Sequence, residues 1–270
     1  MTVSATPAKY DEILRADASE GARRLRLLLP VAAACIIALA ITGFFDTQRF
    51  IEGAPAIAQL ASEMVPPDFS RWQSWLKPLL DTLAMSIAGT VLAVAVSLPL
   101  ALLAAPNTSP HPGVYVVMRT LLALLRSVPE IILGILFVAA VGFGALPGVL
   151  ALALHSVGMV GKFYAEAIEH VDPKPLEAAR AAGATRLQVI IHAVLPQVMP
   201  QLADITIYRW EYHFRASAVL GIVGAGGIGF ELMAALRLIR YDQVAAILLT
   251  ILACVVVVDG IGAALRKRLK

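Results

Sequence analysis

Glu177-Ala178-Ala179-Arg180-Ala181-Ala182-Gly183-Ala184-Thr185-Arg186-Leu187-Gln188, running on to Leu195-Pro196, is a polar, helix-forming island in a very apolar chain. Pro173 and Pro175 precede it. A proline at the first helical position loses nothing, because its missing N–H would have no partner there, so Pro175 is expected at N1. Glu177 then falls in the first turn, where the helix dipole favours a carboxylate. Gly183 is free to adopt the left-handed conformation that ends a helix. Thr185 is placed to cap a second helix from Arg186, which Pro196 stops or kinks. The predicted unit is a short helix, a glycine-hinged turn and another helix, set between apolar runs. That shape suits a lever: a neighbouring protein grips the first helix and pushes the second.

The surroundings are those of a membrane protein. Of 270 residues, 59% are hydrophobic and 15% charged, against about 25% charged in an ordinary soluble domain. Mean hydropathy is +0.79. The fold class is therefore all-α and polytopic, with six spans expected. They are placed at Leu27–Phe45, Leu79–Ala105, Val128–Val141 (after an interfacial helix ending near Arg126), Val149–Val160, from Met199 onward, and Val244–Val258. The fourth is expected to run on into a polar helix carrying Lys162, Glu166 and Glu169, with Gly142–Gly144 and Pro147-Gly148 as the loop before it. Ala38-Leu39-Ala40 resembles a signal-cleavage site, but the first run is expected to be a retained anchor. Trp72 and Trp75 suit an interfacial belt. The domain plan is 1–76 for the terminus, first span and loop, 77–263 for the core with the lever at 172–196, and 264–270 for a basic tail.

Lys and Arg set the orientation. Six spans place Arg119, Arg126, Lys162, Lys174, Arg180 and Arg186 on the same side as both basic termini. Only Arg49, Arg71, Lys77, Arg237 and Arg240 fall opposite. Both termini and the lever are therefore expected in the cytoplasm.

The chain carries little chemistry of its own. Cys35 and Cys254 lie in apolar runs, and the five histidines have no ligand spacing, so no metal is expected. Gly224, Gly226 and Gly229 match a dinucleotide fingerprint, but that motif needs a strand before it, and the flanks read as spans. Gly221, Gly224, Gly226, Gly227 and Gly229 instead suit close helix packing or a backbone break within the membrane, and so are gate candidates. Gly161-Lys162 is followed by Phe163, and Ser156 stands where a phosphate-binding loop would begin, so the chain should not hydrolyse ATP. Ionisable groups at membrane depth cost some ~2.5–3.5 kcal/mol each on insertion scales, so they face protein or a water-filled path. Arg209, Glu211 and Arg215 share one run, with Glu211 and Arg215 four apart in the favourable order. Arg126 and Glu130 repeat the spacing across Pro129. These five residues either lock helices by ion pairing or offer positive potential to a passing anion.

Glu177, Ala178, Ala179, Gly183, Leu195 and Pro196 resemble the ATPase-coupling signature of type I ABC importer permeases. Ala193 departs from it, since the family usually has Ile or Val there. Tyr208–Glu211, Arg215–Gly221, Val223–Leu232, Arg126–Glu130, Gly161-Lys162 with Glu166, and Pro66–Phe69 are similar to the phosphonate, phosphite and hypophosphite subfamily. The resemblance implies a homodimeric permease in the inner membrane, two cytoplasmic ATPase subunits that use ATP and Mg, and an extracytoplasmic binding protein. It implies no cofactor on this chain, no enzymatic activity and no nucleic acid. The alternatives are an ABC permease for another small solute, such as methionine, and an ion-coupled secondary transporter. An intramembrane enzyme using Glu211, His213 or His155 is a further rival.

Overall fold

The computed structural model describes residues 26–269. The N-terminal basic segment, with Lys9, Arg15, Arg23 and Arg24, and Lys270 lie outside the described residues. The chain divides into two compact units, with the boundary after Ser62. The first contains an apolar helix, α1 (Arg26–Ile41), and nearly all of α2 (Thr47–Glu63). The expected first span is thus shorter than predicted, since the chain turns between Thr42 and Phe45. The expected loop after it is largely α2.

The second unit is helical throughout its regular structure. Its helices are α3 (Trp72–Ala104), α4 (Pro112–Ser127), α5 (Glu130–Val141), α6 (Ala145–Glu169), α7 (Pro173–Ala181), α8 (Arg186–Val189), α9 (Leu195–Leu220), α10 (Ile228–Arg237) and α11 (Tyr241–Leu269). A π-turn, Ile190–Val194, fuses α8 to α9, and another, Gly221–Ala225, extends α9. Four helical runs are long and apolar enough to cross a membrane: Trp72–Ala104, Ala145–Glu169, Arg186–Ala225 and Tyr241–Arg268. The pair α4 and α5, bent by 81°, makes a fifth if it counts as one span. Among the described residues the span count is therefore four or five.

Small residues explain the packing. Without a hydrophobic driving force between helices in lipid, close approach and interhelical hydrogen bonds must hold them. α3 turns Gly89, Ala93, Ser97, Ala101 and Ala104 inward, and it packs along α6. α6 answers with Gly148, Ala151, Ser156, Gly158 and Ala165. A side chain at Gly158 would meet the α4 backbone, 2.6 Å from Arg126 N and 2.7 Å from Leu122 O. Pro147-Gly148 is therefore no loop: it lies in the first turns of α6, buried against Met85 and Ala225. α9 crosses both α3 and α6, and α11 lies on α9. Trp75 leaves the expected interfacial belt, being buried with Ile228, Val244 and Ile247, while Trp72 is exposed. Before α3, Ser70 gives its backbone N–H and hydroxyl to Asp68, which holds that carboxyl below the usual range. Asp68 in turn accepts from Gln243 at the start of α11.

Candidate coupling elbow and membrane-depth polar cluster

The elbow forms as a helix–turn–helix, one residue pair out of the expected register. Asp172 is the N-cap of α7, its side chain accepting from Lys174 N at 3.0 Å, so Pro173 takes N1 rather than Pro175. Glu177 consequently lies beyond the first turn, and no acidic residue occupies that turn. Gly183 ends the helix at φ +84°, with open space where a Cβ would be. Thr185 caps α8 through a reciprocal box, Gln188 N to Thr185 Oγ1 and Thr185 N to Gln188 Oε1. Pro196 neither stops nor breaks the run from Arg186. A proline removes one i→i−4 bond and its ring crowds the carbonyl four residues back. The π-turn absorbs this, with Leu195 N reaching Ile190 O.

The α7 helix is held by few contacts. Leu176 is its one buried residue, set among Val189, Val194 and Ile168, while Glu177, Ala178 and Gly183 are exposed and Ala179 is half-buried. A 460 Å³ cavity lies between Glu177, Arg180 and the Pro106-Asn107 loop. A 480 Å³ cavity lies beyond Arg180, bounded by Arg186 and Ser109. Gln197 supplies the link that sequence reasoning missed. Its amide donates to Ala193 O at 2.5 Å, a carbonyl of the π-turn, and at 3.5 Å to Asp172 O. Its Oε1 accepts Asp172 N at 3.0 Å. One side chain thus ties the cap of α7 to the start of α9. Ala193, where the signature expects a larger aliphatic residue, is buried in this turn.

At membrane depth Glu211 and Arg215 do lock helices by ion pairing, but not with each other. Glu211 turns inward, 5% exposed, and Arg215 turns outward on the same helix, so each pairs with α11 instead. Arg266 Nη2 lies 2.8 Å from Glu211 Oε1, and Arg215 Nη1 2.8 Å from Asp259 Oδ1. Gly262, between those two partners on α11, makes room: a Cβ there would stand 1.8 Å from Glu211 Oε1. The charge at Asp259 inside an apolar run was the available signal for these pairs. Arg126 and Glu130 are separated by the bend between α4 and α5, and Arg126 makes no ion pair among the described residues. Glu130 accepts instead from the Tyr212 hydroxyl at 2.7 Å.

Arg209, 6% exposed, is held by hydrogen bonding rather than by a counter-ion. Its Nε donates to Ser156 Oγ at 2.7 Å, and its guanidinium lies 4.2 Å from the Tyr212 ring centre. Ser156 Oγ is also hydrogen-bonded to His213 Nε2 at 2.5 Å. The Thr90 hydroxyl gives its proton to Ser86 O, so it must accept from His213 Nδ1, 2.7 Å away. These contacts place a proton on His213 Nδ1 and fasten α9, α6 and α3 together. His155 points elsewhere, bonding Val128 O. The three residues of the enzyme reading, Glu211, His213 and His155, therefore do not converge.

The glycine cluster forms a break. Gly224, Gly226 and Gly227 have φ of +100°, +75° and +70°. Ile228 N, at the start of α10, finds its acceptor in Thr82 Oγ1 at 2.9 Å. Gly221 and Gly229 allow contact of backbones, since a Cβ at Gly229 would lie 1.7 Å from Ala218 O. Helices on both sides leave the dinucleotide motif without its strand among the described residues.

Residues 97–270 match the family model of the binding-protein-dependent transport system inner membrane component. The chain belongs to that family. This permease is 61% identical to the phosphite transport system permease protein PtxC of Stutzerimonas stutzeri, over 99% of this chain and 98% of that one. It is 42% identical to the phosphate-import permease protein PhnE of Mycolicibacterium smegmatis, over 83% of this chain and 42% of that one. An inward-facing MetNI methionine ABC transporter shares the fold, with TM-score 0.66 and 21% identity over 75% of this chain and 99% of that chain. The permease is thus an inner-membrane component of a binding-protein-dependent transport system, multi-pass by its apolar helices.

Proposed function

We propose that this chain is the permease of an ATP-driven importer of a phosphorus oxyanion, with phosphite as the first candidate and phosphonate or hypophosphite as the others. The observation that carries this is identity of 61% with PtxC along nearly the full length of both chains. In this reading two copies form the conduit, and two ATPase subunits grip α7 from the cytoplasm. A binding protein delivers the anion from outside, and both termini lie in the cytoplasm. ATP closes the ATPases, α7 moves, and Gln197 and the turn at Gly183 pass the motion to the long helix from Arg186. Exposure of Glu177 and Ala178, with Leu176 as the single buried anchor, supports α7 as the gripped element. A strain lacking the gene tests the substrate. Restored ATP-dependent phosphite uptake on complementation is expected, and uptake that tracks an ion gradient without ATPase subunits would refute the reading. Co-purification with the ATPase in equal numbers and cross-linking of two permease copies test the assembly.

A further inference from the structure

Two buried polar atoms of opposite character flank Tyr212 without partners. One is Arg209 Nη2 and the other is Glu130 Oε2. Buried polar groups are almost always hydrogen-bonded, and each exception calls for an explanation. Here a neighbouring atom of each side chain is held. Ser156 holds Arg209 Nε, the Tyr212 ring lies against the guanidinium, and the Tyr212 hydroxyl holds Glu130 Oε1. A spare cationic donor over the Tyr212 ring face and a spare anionic acceptor at its hydroxyl end are thus set on α9 and α5.

We propose that Arg209 and Glu130 form a station for a singly protonated tetrahedral oxyanion within the permease, and thereby select the monoanion over the dianion. This rests on the importer reading above. The deprotonated oxygen of such a ligand accepts from Arg209 Nη2. Its P–OH donates to Glu130 Oε2. A dianion has no proton for the carboxylate and sets like charges against each other. Tyr212 and Arg209 from α9 act directly on Glu130, Tyr208 lies beside them, His155 from α6 bonds Val128 O two residues before Glu130, and Arg126 ends α4. The π-turn Gly221–Ala225, also packed on α5, brings no charged or titratable group.

The test is ATP-driven uptake of inorganic phosphite by the whole importer in proteoliposomes, with its binding protein, across the second ionisation of the anion. Phosphate esters lose their second proton at about pH 6, which sets the range to cover. Binding-protein affinity is measured separately at each pH and kept saturating. Above that ionisation, wild-type uptake is expected to fall toward about tenfold per pH unit, following the monoanion fraction. Glu130→Gln is expected to flatten the profile, because a carboxamide can donate to the second bare oxygen. Tyr212→Phe, which frees Glu130 from its fixed orientation, is expected to weaken the dependence too and serves if Glu130→Gln does not assemble. Superimposable profiles for wild type and variant overturn the station while leaving the importer reading intact. Absence of ATP-driven uptake by the wild type of phosphite, of a phosphonate and of hypophosphite alike overturns both.

Discussion

Glu211 shows how a single buried charge is made tolerable. Its carboxylate is taken out of solvent on α9 and meets Arg266 across the notch at Gly262. Removing one partner of a buried pair leaves an uncompensated charge, which costs about 3–5 kcal/mol, whereas removing both is often close to neutral. Arg266→Gln should therefore destabilise the detergent-solubilised permease by about 3 kcal/mol, the lower end because Arg266 keeps some exposure. Adding Glu211→Gln should recover most of the loss, and thermal unfolding of the single and double variants checks both. Gly262→Ala should act like Arg266→Gln, because its methyl group would occupy the carboxylate's place. If Gly262→Ala unfolds at the wild-type temperature, α11 does not approach α9 as described.

At the scale of elements, α7 and the long helix from Arg186 are joined by a hinge and a strut. Gly183 makes the turn proposed as the hinge, and nothing lies within 4 Å of where its Cβ would be. Gly183→Val meets no steric clash, so its penalty is the left-handed conformation alone, about 1–2 kcal/mol. The variant should assemble, hydrolyse ATP and import less anion per ATP turned over. Paired measurement of hydrolysis and uptake decides it, and an unchanged ratio removes Gly183 from the coupling path. Gln197→Ala deletes the strut while leaving both helices in place, so uptake per ATP should fall, with a drop in Tm set by the lost hydrogen bonds, worth about 0.5–1.5 kcal/mol each. The turn was legible in the sequence because helix-ending chemistry is local: Gly183 and Thr185 act on residues within one turn. The strut was not, because Gln197 and Asp172 are far apart in sequence and meet only when α7 folds back on α9. The π-turn was hidden for a related reason: a proline can end, kink or widen a helix, and the surrounding packing chooses.

For the whole molecule, the distribution of Lys and Arg makes a claim that can be measured on the intact permease. A single cysteine introduced at Ala182, in a variant lacking Cys35 and Cys254, should react with a membrane-impermeant maleimide only when the cytoplasmic face is open to it. Labelling in intact cells would turn the elbow outward and end the coupling model. The sequence by itself determined the helical class, the membrane setting, the elbow and the family resemblance. Each follows from composition, periodicity or a contiguous motif, and these are local in the chain. Only the tertiary structure decided the charge partners. Spacing predicted Glu211 with Arg215 and Arg126 with Glu130, but a four-residue interval brings side chains together only along one straight helix face whose ends have no better partner. Glu211 and Arg215 each find a counter-ion on α11, and the bend before α5 separates the other pair. At membrane depth a charge settles where desolvation is best offset, and that place is set by which helices pack together, which no short stretch of sequence records.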